Sequence, residues 1–175
     1  GGFAPGPARP ALPAPDGGVL GSVTCAGPGA LLAGLRPLLA RSKKAGAVAI
    51  RSNSTTVQKG IPMDVVELCL TDDEPAAVAA GSAAGALAVY PATKTAIAWW
   101  ARRHATTAEW GGAGITLNVV APGAVETPLL QQTRDDPVIG KYIDQFPIPL
   151  GRKGTAEELA AFVAFLLGPH GRWFC

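Results

Sequence analysis

The stretch AGAVAIRSNS, residues 45–54, runs from a short apolar segment into a polar cluster. Its apolar part, residues 47–50, is typical of a strand that is buried on both faces of a parallel sheet. The polar part follows at once, and in open α/β sheets ligands bind at the edge where the parallel strands have their carboxyl ends. The stretch therefore predicts a buried strand with Ser52 at a candidate binding edge.

Helical patterns lie on both sides of this strand. Leucines at i, i+3 and i+4 spacing predict a helix that ends near residue 42, and a longer pattern predicts a helix from about residue 86 to residue 108. A second apolar run, residues 115–120, ends at Ala121-Pro122-Gly123. Helices alternating with buried strands are typical of a parallel α/β sheet, but two strands are too few for a complete one.

The segment between Ser52 and the long helix predicts two further helices. Pro62 is suited to open a short helix that ends near Leu70. Thr71-Asp72-Asp73-Glu74 has the spacing of a capping box, which predicts the start of an alanine-rich helix.

The two ends of the chain differ in pattern. Residues 1–20 are rich in glycine and proline and predict a loop or disordered lead-in. Residues 124–150 carry four prolines and predict a long irregular segment. Thr155 is expected to cap a final helix that Gly168-Pro169 ends.

Composition excludes several classes of protein. Of the 175 residues 48% are hydrophobic and 16% charged, which is enough apolar material for a core, and a net charge of +2 does not favour nucleic-acid binding. Neither a signal peptide nor a membrane-spanning run is visible. The three cysteines are far apart and lack metal-binding spacing. We therefore predict free or buried thiols, no metal site and a cytoplasmic protein.

Three features fall at the carboxyl ends of the predicted strands or on the helix between them. They are Ser52, the segment Tyr90-Pro91-Ala92-Thr93-Lys94, and the segment Asn118–Thr127, which contains Pro122-Gly123. In the second, Tyr90 and Lys94 lie one helical turn apart on one face. Each feature alone has an ordinary explanation as a surface pair or a turn. Their order and placement together indicate one site.

These motifs, in this order, resemble the short-chain dehydrogenase/reductase family over nearly the whole chain. The resemblance implies a Rossmann-like doubly wound parallel sheet, of which residues 21–175 would be the C-terminal part of a single domain. The 37 residues between Ser52 and Tyr90 form a long excursion. Such an excursion is similar to the branch that contains 3-alpha-hydroxysteroid dehydrogenase/carbonyl reductase.

The family's chemistry explains why these residue types occur together. A phenol is a poor acid–base group at neutral pH, with an unperturbed pKa of about 10, and a nearby ammonium stabilises the phenolate. The resemblance implies that Tyr90 is the general acid/base and that Lys94 tunes it and binds the nicotinamide ribose. Ser52 would hold the substrate oxygen. In addition to Tyr90 and Lys94, the resemblance implies four residues that line the nicotinamide pocket: Pro122, Gly123, Val125 and Thr127.

The activity implied is an NAD(P)-dependent oxidoreductase that interconverts a secondary alcohol and a ketone, a steroid or another hydrophobic carbonyl. NAD is favoured over NADP by analogy. Related enzymes are dimers or tetramers through the Tyr–Lys helix, so a homo-oligomer is implied. Trp99 and Trp100 are expected on the surface of that helix.

The chain also departs from the family pattern. No glycine-rich turn for a pyrophosphate follows a strand. The resemblance places the start of the chain after the fourth strand and its end before the last one. Thr24 stands where the family has an asparagine that orders a water, and Arg51 beside Ser52 requires a partner or an exit to solvent. The alternative is therefore a catalytically inert fragment or a partner-binding remnant.

Overall fold

The computed structural model describes residues 27–71, 73–137 and 140–175, without the side chains of residues 142 and 144. The predicted lead-in, residues 1–20, and Thr24 lie outside these ranges. The described helices are α1 Gly27–Leu39, α2 Ser54–Val57, α3 Met63–Leu68, α4 Glu74–Ala84, α5 Ala86–Ala105, α6 Pro128–Arg134, α7 Gly140–Asp144 and α8 Ala156–Leu167. The described strands are β1 Gly46–Ile50 and β2 Thr116–Val120, preceded by a short 3-10 turn at Gly111–Ala113.

The two strands pair in parallel, as predicted. Gly46 lies opposite Thr116, and Ile50 lies opposite Val120, so both strands end at the same edge. The start of the pair is crowded, because a Cβ added at Gly46 would lie 2.7 Å from the Thr116 hydroxyl oxygen. A side chain at the first position of β1 would therefore displace the Thr116 hydroxyl, which favours glycine there.

Helices cover both faces of this pair. On one face, α5 and α1 pack over a cluster formed by Ala45, Ala101, Trp110, Ile115 and Leu117. Trp110 is only 1% exposed, and its ring meets that of Trp100 edge-on at 5.8 Å. Side chains alternate between the faces of a strand, so Gly46, next to Ala45 in sequence, faces the other way. On that face, the Leu167 side chain of α8 would lie 3.4 Å from a Cβ added at Gly46, so α8 covers the second face.

The segment between Ser52 and Tyr90 forms a separate packed layer on α5. Val65 and Val66 of α3 are buried against Ala92 and Ala96 of α5, with Trp99 packed at the margin of this cluster. The two helices predicted in this segment are confirmed as α3 and α4. The short helix α2 was not predicted, because four residues are too few to give a periodic pattern.

Several predicted details are wrong. Trp99 and Trp100 pack against the chain's own two core clusters, so they do not form a surface stripe on α5. The N-cap of α4 is Asp73, whose carboxylate accepts from the Ala76 N–H at 3.0 Å, whereas the Thr71 hydroxyl donates to the Leu68 carbonyl. Both residues have cap chemistry, and only the backbone path decides between them.

The leucine stripe of α1 is divided in the structure. Leu32 and Leu39 pack against the core, whereas Leu31, Leu35 and Leu38 are exposed in the described part of the chain. Gly27, Pro28 and Gly29 all lie within the described part of this helix.

The predicted irregular segment, residues 124–150, contains the two short helices α6 and α7. Pro128 stands at the first turn of α6, where the missing N–H is not needed. A proline there therefore starts a helix and does not exclude one.

The structure tests the predictions about the cysteines and about membrane-spanning segments. Cys175 is a free cysteine, but Cys69 is disulfide-bonded, so the prediction of free thiols is wrong for Cys69. Spacing along a chain cannot show which cysteines the fold brings together. Among the described residues, every helix is too short or too polar to cross a membrane.

The predicted cap of the last helix is confirmed. The Thr155 hydroxyl accepts from the Glu158 N–H at 3.2 Å, and the Glu158 carboxylate accepts from the Thr155 N–H at 2.9 Å. Arg152 donates two hydrogen bonds to this carboxylate, at 2.9 and 2.7 Å, and they are the main cause that lowers the pKa of Glu158 to about 2. The carboxylate is therefore charged at neutral pH, as the capping box requires.

Thr155→Ala is expected to destabilise the protein by about 1 kcal/mol, because the Glu158 N–H at the start of α8 loses its hydroxyl acceptor. The melting temperature should fall by roughly 2–4 °C. Thr133→Ala is the matched control, since the Thr133 hydroxyl donates only to the Leu129 carbonyl within α6. Equal melting temperatures for the two variants would contradict the capping role.

Candidate active site

The turn that carries Ser52 lies beside the loop that follows β2. The Arg51 N–H donates to the Val120 carbonyl at 2.9 Å, and the Asn53 N–H donates to the Pro122 carbonyl at 3.2 Å. These bonds continue the pairing of the two strands past their ends. A Cβ added at Gly123 would lie 3.6 Å from the side-chain nitrogen of Asn53. Two of the predicted site segments are therefore in contact.

Lys94 connects the long helix to the same edge. Its ammonium donates to the carbonyl of Ile50, the last residue of β1, at 3.3 Å. It also lies 5.8 Å from the centre of the Tyr90 ring. Tyr90 is 39% exposed, whereas its neighbours Val89 and Pro91 are fully buried. The helical turn that carries Tyr90 is therefore anchored by buried neighbours, while the Tyr90 ring itself is exposed to solvent.

Burial lowers the pKa of Lys94 below the ordinary lysine value. A partly desolvated ammonium interacts more strongly with a nearby negative charge than an ammonium in water. An ammonium has three N–H donors, and the Ile50 carbonyl takes one of them. The arrangement can stabilise a phenolate on Tyr90 and donate to a ligand at the same time.

The Ser52 hydroxyl is oriented by its own turn. Its oxygen accepts from the Ser54 N–H at 3.2 Å, which leaves the hydroxyl hydrogen available for donation. The Ser52 carbonyl accepts from the Thr55 hydroxyl at 2.8 Å. Ser52 is therefore held at both its side chain and its backbone.

Arg51 finds the partner that the sequence requires. Its guanidinium donates to the Thr55 hydroxyl, and the same hydroxyl donates to Ser52. The Arg51 Nε is buried without a hydrogen-bond partner in the part of the chain that the structure describes. Burial, and to a lesser degree the charge of Arg102, lower the pKa of Arg51.

The loop after β2 is fixed by a bridge to the segment before α8. The Glu126 N–H donates to the Gly154 carbonyl at 2.8 Å, and the Gly154 N–H donates to the Ala124 carbonyl at 2.9 Å. Val125 lies between Ala124 and Glu126, which make these two bonds. In a parallel bridge the N–H and carbonyl of such a residue point away from the bridge partner, here Gly154. The Thr127 hydroxyl accepts from the Leu130 N–H at 3.1 Å as the N-cap of α6.

The sequence missed two residues that hold this site together. Thr55 links Arg51 to the Ser52 carbonyl, and Gln58 donates to the Leu87 carbonyl at 3.2 Å on the helix that carries Tyr90. Pro91 gives a partial signal, because a proline at that position deprives Leu87 of its helical donor. No pattern in the sequence indicates that the Gln58 side chain supplies the donor that Pro91 lacks.

Comparisons with known proteins identify the family of the chain. A family model described as Enoyl-(Acyl carrier protein) reductase matches residues 75–174, more than half of the chain. The 3-alpha-hydroxysteroid dehydrogenase/carbonyl reductase of Comamonas testosteroni is 46% identical over 90 residues, 51% of this chain and 34% of that protein. A short-chain dehydrogenase of Neurospora crassa is 33% identical over 124 residues, 66% of this chain and 44% of that protein.

A solved structure extends the likeness to most of the described fold. The 3-alpha-hydroxysteroid dehydrogenase from Pseudomonas sp. B-0831, complexed with NADH, superposes with a TM-score of 0.85 at 38% identity. The match covers 92% of this chain and 63% of that one. The parallel α/β fold and the Tyr–Lys helix thus define a class of Rossmann-like proteins, as predicted. Within it, the chain belongs to the short-chain dehydrogenase/reductase family.

Relative to the wild type, Lys94→Met is expected to be more stable at pH 7 than at pH 10, because it removes a charge that burial disfavours. The pKa of Lys94 is lower in the folded state than in the unfolded state. Between these two values the unfolded state binds more protons, so the stability of the native protein rises with pH. The advantage of the variant should therefore shrink as the pH approaches 10.5, the ordinary lysine value.

Urea unfolding at pH 7, 8.5 and 10 measures this difference. Lys44→Met, at an exposed position before β1, is the matched control. A stability difference between the wild type and Lys94→Met that stays constant with pH would contradict the assignment.

Proposed function

We propose that this chain carries the catalytic residues of an NAD(P)-dependent oxidoreductase that interconverts a secondary alcohol and a ketone. The observation that carries the proposal is the Lys94 ammonium 5.8 Å from the centre of the Tyr90 ring, with Lys94 bonded to the end of β1. In the reducing direction Tyr90 gives its hydroxyl proton to the carbonyl oxygen. The phenolate that remains is stabilised by the Lys94 charge.

The other residues hold the substrate in place. The Ser52 hydroxyl donates its hydrogen to the substrate oxygen, while its own oxygen accepts from the Ser54 N–H. In the oxidising direction the same contacts hold the alcohol while Tyr90 accepts its proton. Ser52 therefore orients the oxygen, and Tyr90 moves the proton.

The residues at the strand ends suit a nicotinamide ring and its ribose. Lys94 has donors left for ribose hydroxyls, and Thr127 keeps its hydroxyl hydrogen while its oxygen caps α6. Val125 offers its backbone groups to the carboxamide, and Pro122 and Gly123 line the ring. When bound, the nicotinamide supplies or accepts the hydride. NAD is favoured over NADP by analogy with the relative that is complexed with NADH.

A hydrophobic substrate is proposed from the segment that follows this loop. Leu129 of α6 is 72% exposed and Leu150 is 83% exposed, so large apolar side chains are available to cover a bound ligand. The first relative is named for both a hydroxysteroid and a carbonyl activity. We therefore propose a steroid or another hydrophobic carbonyl as the substrate class.

A homo-oligomer and a cytoplasmic location remain predictions. An oligomer is supported by α8, which exposes Phe162, Phe165 and Leu167. Light scattering on the purified chain measures the oligomeric state.

The chain spans only about a third of the length of its first relative, so the activity of the whole protein is part of this proposal.

NADH and NADPH titrations, followed by cofactor fluorescence, test the proposal together with the reduction of an aromatic ketone and a 3-ketosteroid. Tyr90→Phe should lower kcat by about 10²- to 10⁴-fold and leave the cofactor Kd unchanged, because only the proton donor is lost. Lys94→Met should also weaken cofactor binding by about ten- to a hundredfold, because a charge-assisted hydrogen bond is lost. Lys44→Met serves as the control.

The alternative predicts a different result. If the folded chain binds neither cofactor and reduces neither ketone, the catalytic residues are present but inactive. The proposed activity would then be rejected for this chain in favour of the inert form.

A further inference from the structure

Pro91 leaves a gap in the hydrogen bonding of the catalytic helix. In an α-helix the carbonyl of Leu87 accepts from the N–H of residue 91, but proline has no N–H. The Gln58 side-chain amide fills this gap by donating to the Leu87 carbonyl at 3.2 Å. The bond joins two positions 29 residues apart in the chain.

Gln58 ends a segment that begins beside Ser52. We call residues 51–58 the linking segment; it contains the Ser52 turn and the helix α2. At its start the Arg51 guanidinium donates to the Thr55 hydroxyl, which donates to the Ser52 carbonyl at 2.8 Å. The middle of the segment packs against α5.

We propose that Thr55 and Gln58 are positioning residues that fix the Ser52 hydroxyl relative to the Tyr90 hydroxyl. The inference rests on the function proposed above, in which both hydroxyls contact one substrate oxygen. Ser52 lies at the sheet edge, whereas Tyr90 lies on a helix that packs over the sheet.

A helix of four residues cannot hold its own shape, because even much longer isolated helices are marginal in water. The side-chain bonds at its two ends therefore act together with its packing on α5 to hold α2 in place. Thr55 fixes the start of α2 to the Ser52 carbonyl, and Gln58 fixes the end of the segment to the turn of α5 that immediately precedes Tyr90. A shift of about 1 Å between two groups that act on one atom can lower the rate of a reaction about a hundredfold.

Gln58→Met tests the attachment to α5. We expect kcat for ketone reduction to fall by about ten- to a hundredfold while the NADH Kd stays unchanged, because the cofactor contacts lie elsewhere. Lys59→Met is the matched control: it is the adjacent residue, it is exposed, and it should keep the wild-type kcat.

Thr55→Val and Thr55→Ser test the attachment to Ser52. Valine has nearly the same shape but no hydroxyl, so kcat should fall by a similar factor. Serine restores the hydroxyl and should recover most of the rate. A purely structural role would change the melting temperature but would not separate kcat from the NADH Kd.

Hydrogen–deuterium exchange gives a readout that does not require activity. Gln58→Met should speed exchange over residues 86–90, and Lys59→Met should not. In a Pro91→Ala background the new N–H bonds the Leu87 carbonyl, so Gln58→Met should then have a smaller effect on exchange.

The outcomes separate this inference from the proposed function. If the wild type reduces ketones and Gln58→Met matches Lys59→Met in kcat, the positioning role is overturned, even where exchange changes. If the wild type is inactive, the proposed function fails, and the exchange data alone decide whether Gln58 anchors α5. Unchanged exchange in Gln58→Met would overturn the anchoring as well.

Discussion

The parallel pairing of β1 with β2 is the constraint on which the site depends. Parallel strands end at the same edge of a sheet, so the Ser52 turn and the loop after β2 leave the sheet side by side. The backbone bonds from Arg51 to Val120 and from Asn53 to Pro122 carry the pairing beyond the last strand residues. Lys94 then attaches the third part of the site to the carbonyl of Ile50. The three predicted site segments are thus all fixed to the end of one short strand pair.

The parts of the fold that depend on local chemistry could be predicted from the sequence. The two strands were predicted because a run that is apolar on both faces fits a parallel sheet. The cap of α8 was predicted because threonine is a favoured N-cap residue and Thr155 directly precedes a helical pattern. The helix α2 could not be predicted, since four residues are too few to give a periodic pattern and its tertiary contact is with the distant Leu87. The division of the α1 leucines into buried and exposed members likewise depends on which elements pack beside them.

The same division holds for the site. Motif order predicts Ser52, Tyr90 and Lys94 as site residues, because their types and spacing suit a proton transfer. Their partners are not encoded locally: the Ile50 carbonyl lies 44 positions from Lys94 in sequence. The need of Arg51 for a partner was visible in its charge, but Thr55 could be identified only once the turn after β1 was known.

Three features of this small region are unfavourable when each is considered alone. Lys94 carries a charge that burial disfavours, Arg51 has a buried Nε without a partner in the described part of the chain, and Pro91 removes a helical hydrogen bond. Such departures from local rules tend to gather where function requires them. Here each departure also creates a contact: the lysine reaches Ile50, the arginine reaches Thr55, and the free Leu87 carbonyl receives Gln58. The contacts that these unfavourable residues make are therefore the ones that connect the sheet edge, the linking segment and α5.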